Sequence, residues 1–390
     1  MEHMQVTLSD PIAQFAHLLQ QELFPRLQPV LEEMSERHAL FIATCAMVPF
    51  ARYIPCGRWN GRPSKDRLAI ARAFLAKGIF GYNTTRQLLD ALRHDKDLRG
   101  LCGWTHARQL PHEATFSRAF AEFAQSELPV FAHQCLIASL HSRQLVGHIS
   151  RDSTAIEARE YFPVAEPKKK PAKSKPKRKP GRKKGPSRRL TQAARLALAT
   201  RIQRQLEMTD LEQMLAGIST KCDIGGKRSS KGNTMYWRGY KLHLDVADGG
   251  IPISALLTSA SVHDSQVAIP LMHMTSKRVT YLYDVMDSAY DAEAIHQASV
   301  KLNHRAIIQP RTPPKPKTQL RSRVKLPPEM DPADKNRYKQ RTTVERAYSR
   351  LKDEFGARTV RVRGAQKVFT HLMFGVLALT VDSLLKLHRV

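Results

Sequence analysis

Between Pro167 and Arg189 the chain passes through 13 basic residues and not one acid, the densest part reading "KPKRKPGRKKG" from Lys175 to Gly185. A stretch with so little apolar surface cannot bury itself, and its like charges repel. Any fold must let this segment leave the core and return, so the core has to be drawn around it. A weaker version recurs at Pro310–Pro328, "PRTPPKPKTQLRSRVKLPP", with six basic residues and no acid. Both are expected to be disordered or loosely extended.

What remains is ample for burial: of 390 residues, 42% are hydrophobic, enough for two or three domains. Lys and Arg number 63 against 35 for Asp and Glu, a formal charge of +28. Leaving out Pro167–Arg189 still leaves about +15, so basic character is spread along the chain. Such an excess implies a polyanionic partner, most often nucleic acid. Five cysteines stand far apart with no CxxC pair, which excludes a zinc ribbon or a dithiol redox motif. The first 30 residues hold no signal-peptide core. The most apolar C-terminal run, Leu372–Leu379, is eight residues long and is followed by Asp382 and Lys386. That suits a core helix rather than a membrane span. The expectation is a soluble, cytoplasmic protein with no membrane partner.

Residues 1–140 read as helical. "SKDRLAIARAFLAKGIFG" repeats apolar residues at helical spacing from Ser64, a candidate N-cap. Thr84 and Gln87 stand at capping-box spacing, and another short helix starts near Thr115. The pattern fits a helix-turn-helix-like DNA reader and a plain helical bundle equally well. Near residue 145 the pattern changes. "QLVGHISRDSTAIEA" suits a strand and turn, and Arg189–Ile218 a long amphipathic helix. "YKLHLDVA", "ISALLTSA", "VTYLYDV" and "RAIIQP" read as strands, and two helices close the chain. This predicts a mixed α/β domain over 145–390 behind a helical N-terminal domain, 1–140. The insert 165–189 and the loop 310–328 lie inside the second.

Two carboxylates fall at strand ends: Asp152 in "RDST" and Asp287 in "DSAYDA". Such positions point into a shared cleft, although a lone Asp there also serves as a turn former. A third element is the segment "RYKQRTTVERAYSRLKDEF", Arg337–Phe355. On a helix with Tyr338 at zero, Arg341 falls at about 300°, Glu345 at about 340° and Lys352 at about 320°. Val344, Ala347, Leu351 and Phe355 occupy roughly 180–260°, beside that arc. One face can therefore bury while its neighbour presents Tyr, Arg, Glu and Lys. A solvated face with an Arg341–Glu345 pair fits the periodicity as well.

The spacing Tyr338-x2-Arg341-x3-Glu345-x6-Lys352 matches the Y-R-E-K signature of bacterial insertion-sequence transposases. "RDST" resembles that family's first catalytic block, "DSAYDA" the second, and "RTTVERAYSRLKDEFGARTVRVRG" the third. "WRGYKLHLDVADGGIPISALLTSASVHDS" resembles its middle strands, and the helices of residues 60–120 the domain that precedes many such cores. The resemblance covers most of 60–385; the basic insert and the first 50 residues lie outside it. It implies an RNase H-like fold and an Asp152, Asp287, Glu345 triad that holds two Mg²⁺ ions, with Mn²⁺ able to substitute. It also implies double-stranded DNA as partner, both element ends and target, handled by a homodimer or larger assembly near the nucleoid. By the same resemblance Tyr338, Arg341 and Lys352 hold DNA near the cut, or Arg341 orients Glu345. Asp284 is the rival to Asp287, and His263–Asp264 is a loop cap rather than a metal pair.

Arg238 and Lys241 are expected on phosphates, and Trp237 as a packing anchor. Between Asp287 and Glu345 there is little room for the β-domain that some relatives insert, which is associated with a hairpin intermediate. Two other readings stay open: a DNA-binding protein that has lost its chemistry, and an RNase H-like nuclease that cuts without joining. Lys177, Arg178, Lys179, Arg182, Lys183 and Lys184 of the insert are expected to grip DNA without sequence preference. Excising Pro167–Arg189 should weaken DNA binding most at low salt and leave the melting temperature unchanged. Loss of folding on excision would show a structural role instead.

Overall fold

The computed structural model describes residues 35–48, 50–54, 66–141, 145–160, 200–228, 233–310 and 330–388. The basic insert, the loop 311–329 and Ser64 lie outside the described residues. Helices come first: α1 (Glu36–Met47), α2 (Phe50–Tyr53), α3 (Arg67–Ile79), α4 (Thr85–His94), α5 (Lys96–Cys102), α6 (Glu113–Gln125) and α7 (Leu128–His141). Asp66 caps α3 by accepting from the Leu68 and Ala69 N–H groups. The capping box read from Thr84 and Gln87 is present, each side chain accepting at 3.1 Å from the other's backbone N–H. Phe74 of α3 meets the rings of Phe116, Phe120 and Phe123 of α6 at 4.7–6.4 Å, which locks these helices together.

A mixed six-stranded sheet follows: β1 (Leu145–Glu157), β2 (Asp223–Arg228), β3 (Thr234–Ala247), β4 (Ile251–Ser259), β5 (Thr280–Met286) and β6 (Arg305–Ile308). Its order is β2-β3-β1-β5-β6, with β4 also beside β3. β1 is antiparallel to β3 and parallel to β5. The fold is therefore an α/β, RNase H-like mixed sheet behind a helical N-terminal region. Helices α8 (Arg201–Glu207), α9 (Leu211–Ala216), α10 (Ser265–Ser276) and α11 (Glu293–Lys301) pack in one apolar cluster with Met286 and Ile308 of the sheet. Val344, Ala347, Tyr348 and Leu351 of α13 (Thr342–Asp353) cluster instead with Tyr240, Leu242 and Leu244 of β3.

Three local expectations are revised. The single helix over Arg189–Ile218 is broken in its described part, because the Asp210 side chain accepts from the Glu212 N–H and starts α9 afresh. β2 was not foreseen: its "DIGGKR" reads as a turn because of its two glycines. The helix over Arg337–Phe355 is α12 (Pro332–Tyr338), a tight 3₁₀ turn at Lys339–Arg341, and then α13. Ser150 of β1 donates to the Gln340 carbonyl at 2.6 Å, which ties that turn to the sheet.

The last helix, α14 (Ala365–His388), packs on α1, α3, α6, α7 and β4, so the helices and the sheet share one apolar cluster. By length and composition it could cross a membrane. Val368, Leu372, Val376 and Leu379 are instead buried in that cluster. Gly375 sits where α14 crosses the end of α13: a Cβ there would lie 2.6 Å from the Phe355 carbonyl oxygen. Any larger residue would push α13 off the helix that supports it.

Under α10 and α11 lies a buried charged network. Arg151 is 1% exposed. Its Nε and Nη2 donate to the two oxygens of Asp245 at 2.7 and 2.6 Å, and its Nη1 to Asp284 at 3.1 Å. Thr275 donates to Asp245 at 2.6 Å, and Tyr281 and Ser299 donate to Asp284 at 3.0 and 2.8 Å. Removing the cation would leave two desolvated carboxylates unpaired. Arg151→Met should lower stability by about 3–5 kcal/mol in urea unfolding, whereas an unchanged midpoint would refute this account.

Candidate active site

The β1–β5 register sets the site. Ser150 lies opposite Val285 and Arg151 opposite Met286, so the next residues on the two chains are Asp152 and Asp287. Parallel neighbours lie roughly 4.8 Å apart. β5 ends there, while β1 runs on to Glu157, so Asp152 is not at the strand's end as expected. Alternation along β1 turns Arg151 into the buried network and Asp152 to the opposite face, shared with Leu242, Leu244 and α13.

Asp152 accepts from the Ser153 N–H at 2.7 Å, and Asp287 from the Ala289 N–H at 2.9 Å. Burial pushes the Asp152 carboxyl up to about 6, and the charges of Asp287 and Asp264 add to this, against the Ser153 N–H and Lys227. Glu345 stands on the first turn of α13, where Arg341 donates to it at 2.7 Å. This i,i+4 pair is partly exposed.

Tyr338 closes α12, just ahead of the 3₁₀ turn. Burial raises its hydroxyl above the ordinary range, and the charges of Asp287, Glu345 and Asp152 all raise it further, opposed by Arg341. The hydroxyl donates to Gln309 at 3.2 Å, and the Arg341 guanidinium stands 5.9 Å from the ring centre. Lys352 donates to Thr154 of β1 at 2.7 Å, and burial followed by Arg358 and Lys227 holds its ammonium below the usual range. Of the four residues of the helix arc, Lys352 thus bonds the strand that carries Asp152.

Of the remaining expected residues, Trp237 packs as expected. Lys241 is largely buried and donates to Asp264 at 3.0 Å and to the Val262 carbonyl at 2.9 Å. Asp264 makes no capping bond for α10. Burial works to raise its carboxyl, but His243, Lys241 and Ser153 together hold it below the ordinary range. Asp284, the rival to Asp287, is fully buried in the Arg151 network. Trp237 donates to the Tyr240 carbonyl at 3.1 Å and packs over Gly225. Arg238 is half-buried at the point where its carbonyl accepts from Ala158, just past β1. The insert's Lys177 to Lys184 lie outside the described residues.

Tyr348 was missed. Its hydroxyl accepts from the Leu244 N–H at 2.9 Å and faces the carbonyls of Asp152 and Leu242 at 2.6 and 3.0 Å. It pins α13 to the backbone of Asp152 itself. On the helix wheel it falls at about 280°, between the apolar and the charged arcs, which was the available signal.

Asp152 and Asp287 offer only oxygen donors and crowd like charge, which fits a hard divalent cation. Among the described residues, no three His, Cys, Asp or Glu side chains are grouped closely enough to hold an ion together; Glu345 is turned to Arg341.

Residues 214–381 match the family model of the transposase DDE domain, and residues 31–122 match that of the transposase domain DUF772. The first match takes in Asp287 and Glu345 but begins at Met214, beyond β1 and Asp152. No curated protein and no solved structure matches the chain.

The ordinary Asp value is 3.8, so between there and about 6 the folded protein holds a proton that the unfolded chain releases. Asp152 therefore costs stability as pH rises through 6. In chelator, Asp152→Asn should melt above wild type at pH 7 and converge with it near pH 4. Added Mg²⁺ or Mn²⁺ should raise the wild-type melting temperature at pH 7 but not at pH 4.5, and not in the variant. Equal ion responses in both proteins would exclude Asp152 as a ligand.

Proposed function

We propose that this chain, which belongs to the insertion-sequence DDE transposases, binds the terminal inverted repeats of its element and cuts and joins DNA there. What supports this reading is the β1–β5 register, which sets Asp152 beside Asp287, together with Lys352 bonded to Thr154 of the same strand and Arg341 beside Glu345. Three acids ringed by cations suit phosphoryl transfer on a polyanion.

In this reading Asp152, Asp287 and Glu345 hold two Mg²⁺ ions, for which Mn²⁺ can substitute; when bound, the ions activate the attacking oxygen and stabilise the leaving one. Arg341 releases Glu345 to that site and takes a phosphate oxygen in exchange. Lys352 and Tyr338 fix the strand on either side of the cut. A water oxygen first attacks the scissile phosphorus and the bond to the 3′-oxygen breaks, leaving a 3′-hydroxyl and a 5′-phosphate. The 3′-oxygen then attacks a target phosphate, displacing a target 3′-oxygen. The acids accept the nucleophile's proton, and no covalent protein–DNA bond is needed. Joining requires two ends in one complex, so the acting form is a homodimer or larger. The site of action is the bacterial cytoplasm, at the nucleoid.

Purified protein with Mg²⁺ and DNA that includes the sequences flanking its reading frame should give nicked and then joined products. Glu345→Ala should cut about a thousandfold more slowly or worse, with DNA binding retained. Binding without cutting by the wild type would favour a protein that has lost its chemistry. Nicking without joining would favour a nuclease, and cutting by Glu345→Ala would remove Glu345 from the site.

A further inference from the structure

Residues 354–364 join α13 to α14 and include "ARTVRVRG", Ala357–Gly364. Burial alternates along the second half of this link. Val360 is buried and Val362 packs against the same apolar cluster, whereas Arg361 and Arg363 are exposed. A period of two is that of an extended chain. The two valines fix the backbone and turn both guanidinium groups outward, with their Cα atoms roughly 7 Å apart. Lys367, in the first turn of α14, is exposed as well.

The link is tied at both ends to the sheet face that carries Asp152. Just before it, Lys352 donates to Thr154 at 2.7 Å. Where it closes, the Gly364 N–H donates to Glu160 at 2.6 Å, and the same carboxylate oxygen accepts from the Tyr240 hydroxyl at 2.7 Å. Tyr240 lies opposite Ile156 and clusters with Leu242, Leu244 and α13. Extended chain from Thr154 to Glu160 spans up to about 20 Å. Arg363, next to Gly364, is therefore held at the Glu160 end, beyond Lys352 and away from Asp152.

The acids around this link are occupied and its cations are not. Asp353 pairs with Arg358 and Glu354 with Arg350, while Glu160 is held by the two donors above. Among the described residues, no acid pairs with Arg361, Arg363 or Lys367. Arginines that serve only solubility stand among acids of opposite sign. These stand unopposed, on a backbone that is anchored, in a chain of net charge +28. Two steps along one DNA strand rise about 6.8 Å, which matches the spacing of Arg361 and Arg363. Their planar guanidinium groups suit phosphate oxygens.

We infer that Arg361, Arg363 and Lys367 form a rail for the phosphate backbone of duplex DNA, gripping it at a distance from the cut. This deepens the function proposed above and rests on it for the identity of the polyanion. The test uses the full-length protein and a labelled duplex of arbitrary sequence, titrated over a range of salt. Arg361→Ala, Arg363→Ala and Lys367→Ala should each weaken binding and lower the salt slope by about one, and the triple variant by about three. Arg363→Lys should keep the wild-type slope. Lys277→Ala serves as control, because Lys277 is exposed at the end of α10, on the Arg151 side of the sheet; its slope should equal wild type. Thermal melts of all variants should match wild type, since these side chains are exposed. On element-end DNA with Mg²⁺ and saturating protein, the triple variant should cut at the wild-type rate, because the rail supplies affinity and not chemistry. Unchanged slopes in the triple variant, or an equal loss in Lys277→Ala, would overturn the rail and leave the transposase reading intact. Slow cutting at saturation would move these residues to the cut and overturn it too. Loss of a DNA-free dimer in the triple variant with DNA binding unchanged would make the link a protein contact, with the same consequence. A wild type that binds duplex without cutting would overturn the transposase reading and leave the rail standing; one that does not bind would overturn both.

Discussion

Everything at the carboxylate cleft depends on Arg151. It sits one residue before Asp152, and a strand turns consecutive side chains to opposite faces. The guanidinium ties β1 to Asp245 of β3 on one side and to Asp284 of β5 on the other. Those are the two strands that flank β1 in the sheet. Asp152 and Asp287 repel each other, and the backbone that carries them must be held from below. A bidentate pair with no room to move supplies that anchor, because its geometry is fixed by the guanidinium plane. Burying three charges adds little net stability. It specifies register, since a slip of one residue would turn Arg151 into the cleft and Asp152 into the core.

The carboxylate proposed as the third is positioned by a different route. Glu345 stands on a helix, and its position is only as good as the docking of α13. Three contacts from β1 set that docking: Ser150 holds the turn at Gln340, the Asp152 carbonyl meets Tyr348, and Thr154 accepts from Lys352. All three come from Asp152 or from a residue two places away from it on β1. The placement of α13 on β1 is thus fixed by three short hydrogen bonds rather than by the long path of chain between them. Behind α13, Gly375 lets α14 approach closely, and α14 in turn rests on α1, α3, α6 and α7. The helical region that matches DUF772 therefore braces the helix that presents Glu345.

How much of this could be read beforehand varies with the kind of signal. The apolar stripe Val344, Ala347, Leu351 and Phe355 was legible from period alone and is buried as expected. Fold class and family were legible because several motifs agreed in order. Tyr348 was not recognised, because a tyrosine on the edge of a helical stripe reads as core and its hydroxyl partners are backbone atoms far off in sequence. The Arg151 network left a clue in the sequence: acids within the apolar strands "YKLHLDVA" and "VTYLYDV" need a buried cation. Naming which cation requires the strand order, which periodicity does not supply. Lys241 shows the opposite error: its basic surroundings suggested phosphate, and only the placement of Asp264 shows where its charge goes. β2 was hidden by Gly225 and Gly226, which read as a turn until Trp237 and Tyr236 are seen lying on them.

The basic insert separates β1 from β3 in sequence although the two are adjacent in the sheet. The core closes on both sides of that gap without it. Before the insert, Glu160 accepts from the Tyr240 hydroxyl at 2.7 Å and from the Gly364 N–H at 2.6 Å. After it, Thr200 and Gln203 form a capping box that opens α8. A loop whose ends are independently pinned adds only a slowly growing closure entropy, whatever its length. That explains how so charged a segment can stand between β1 and the rest of the core. It also explains why the DDE-domain match starts only at Met214: the strand bearing Asp152 is contiguous with the family core in space and remote from it along the chain. On the described side of the gap, Ala158, just past β1, donates to the Arg238 carbonyl of β3.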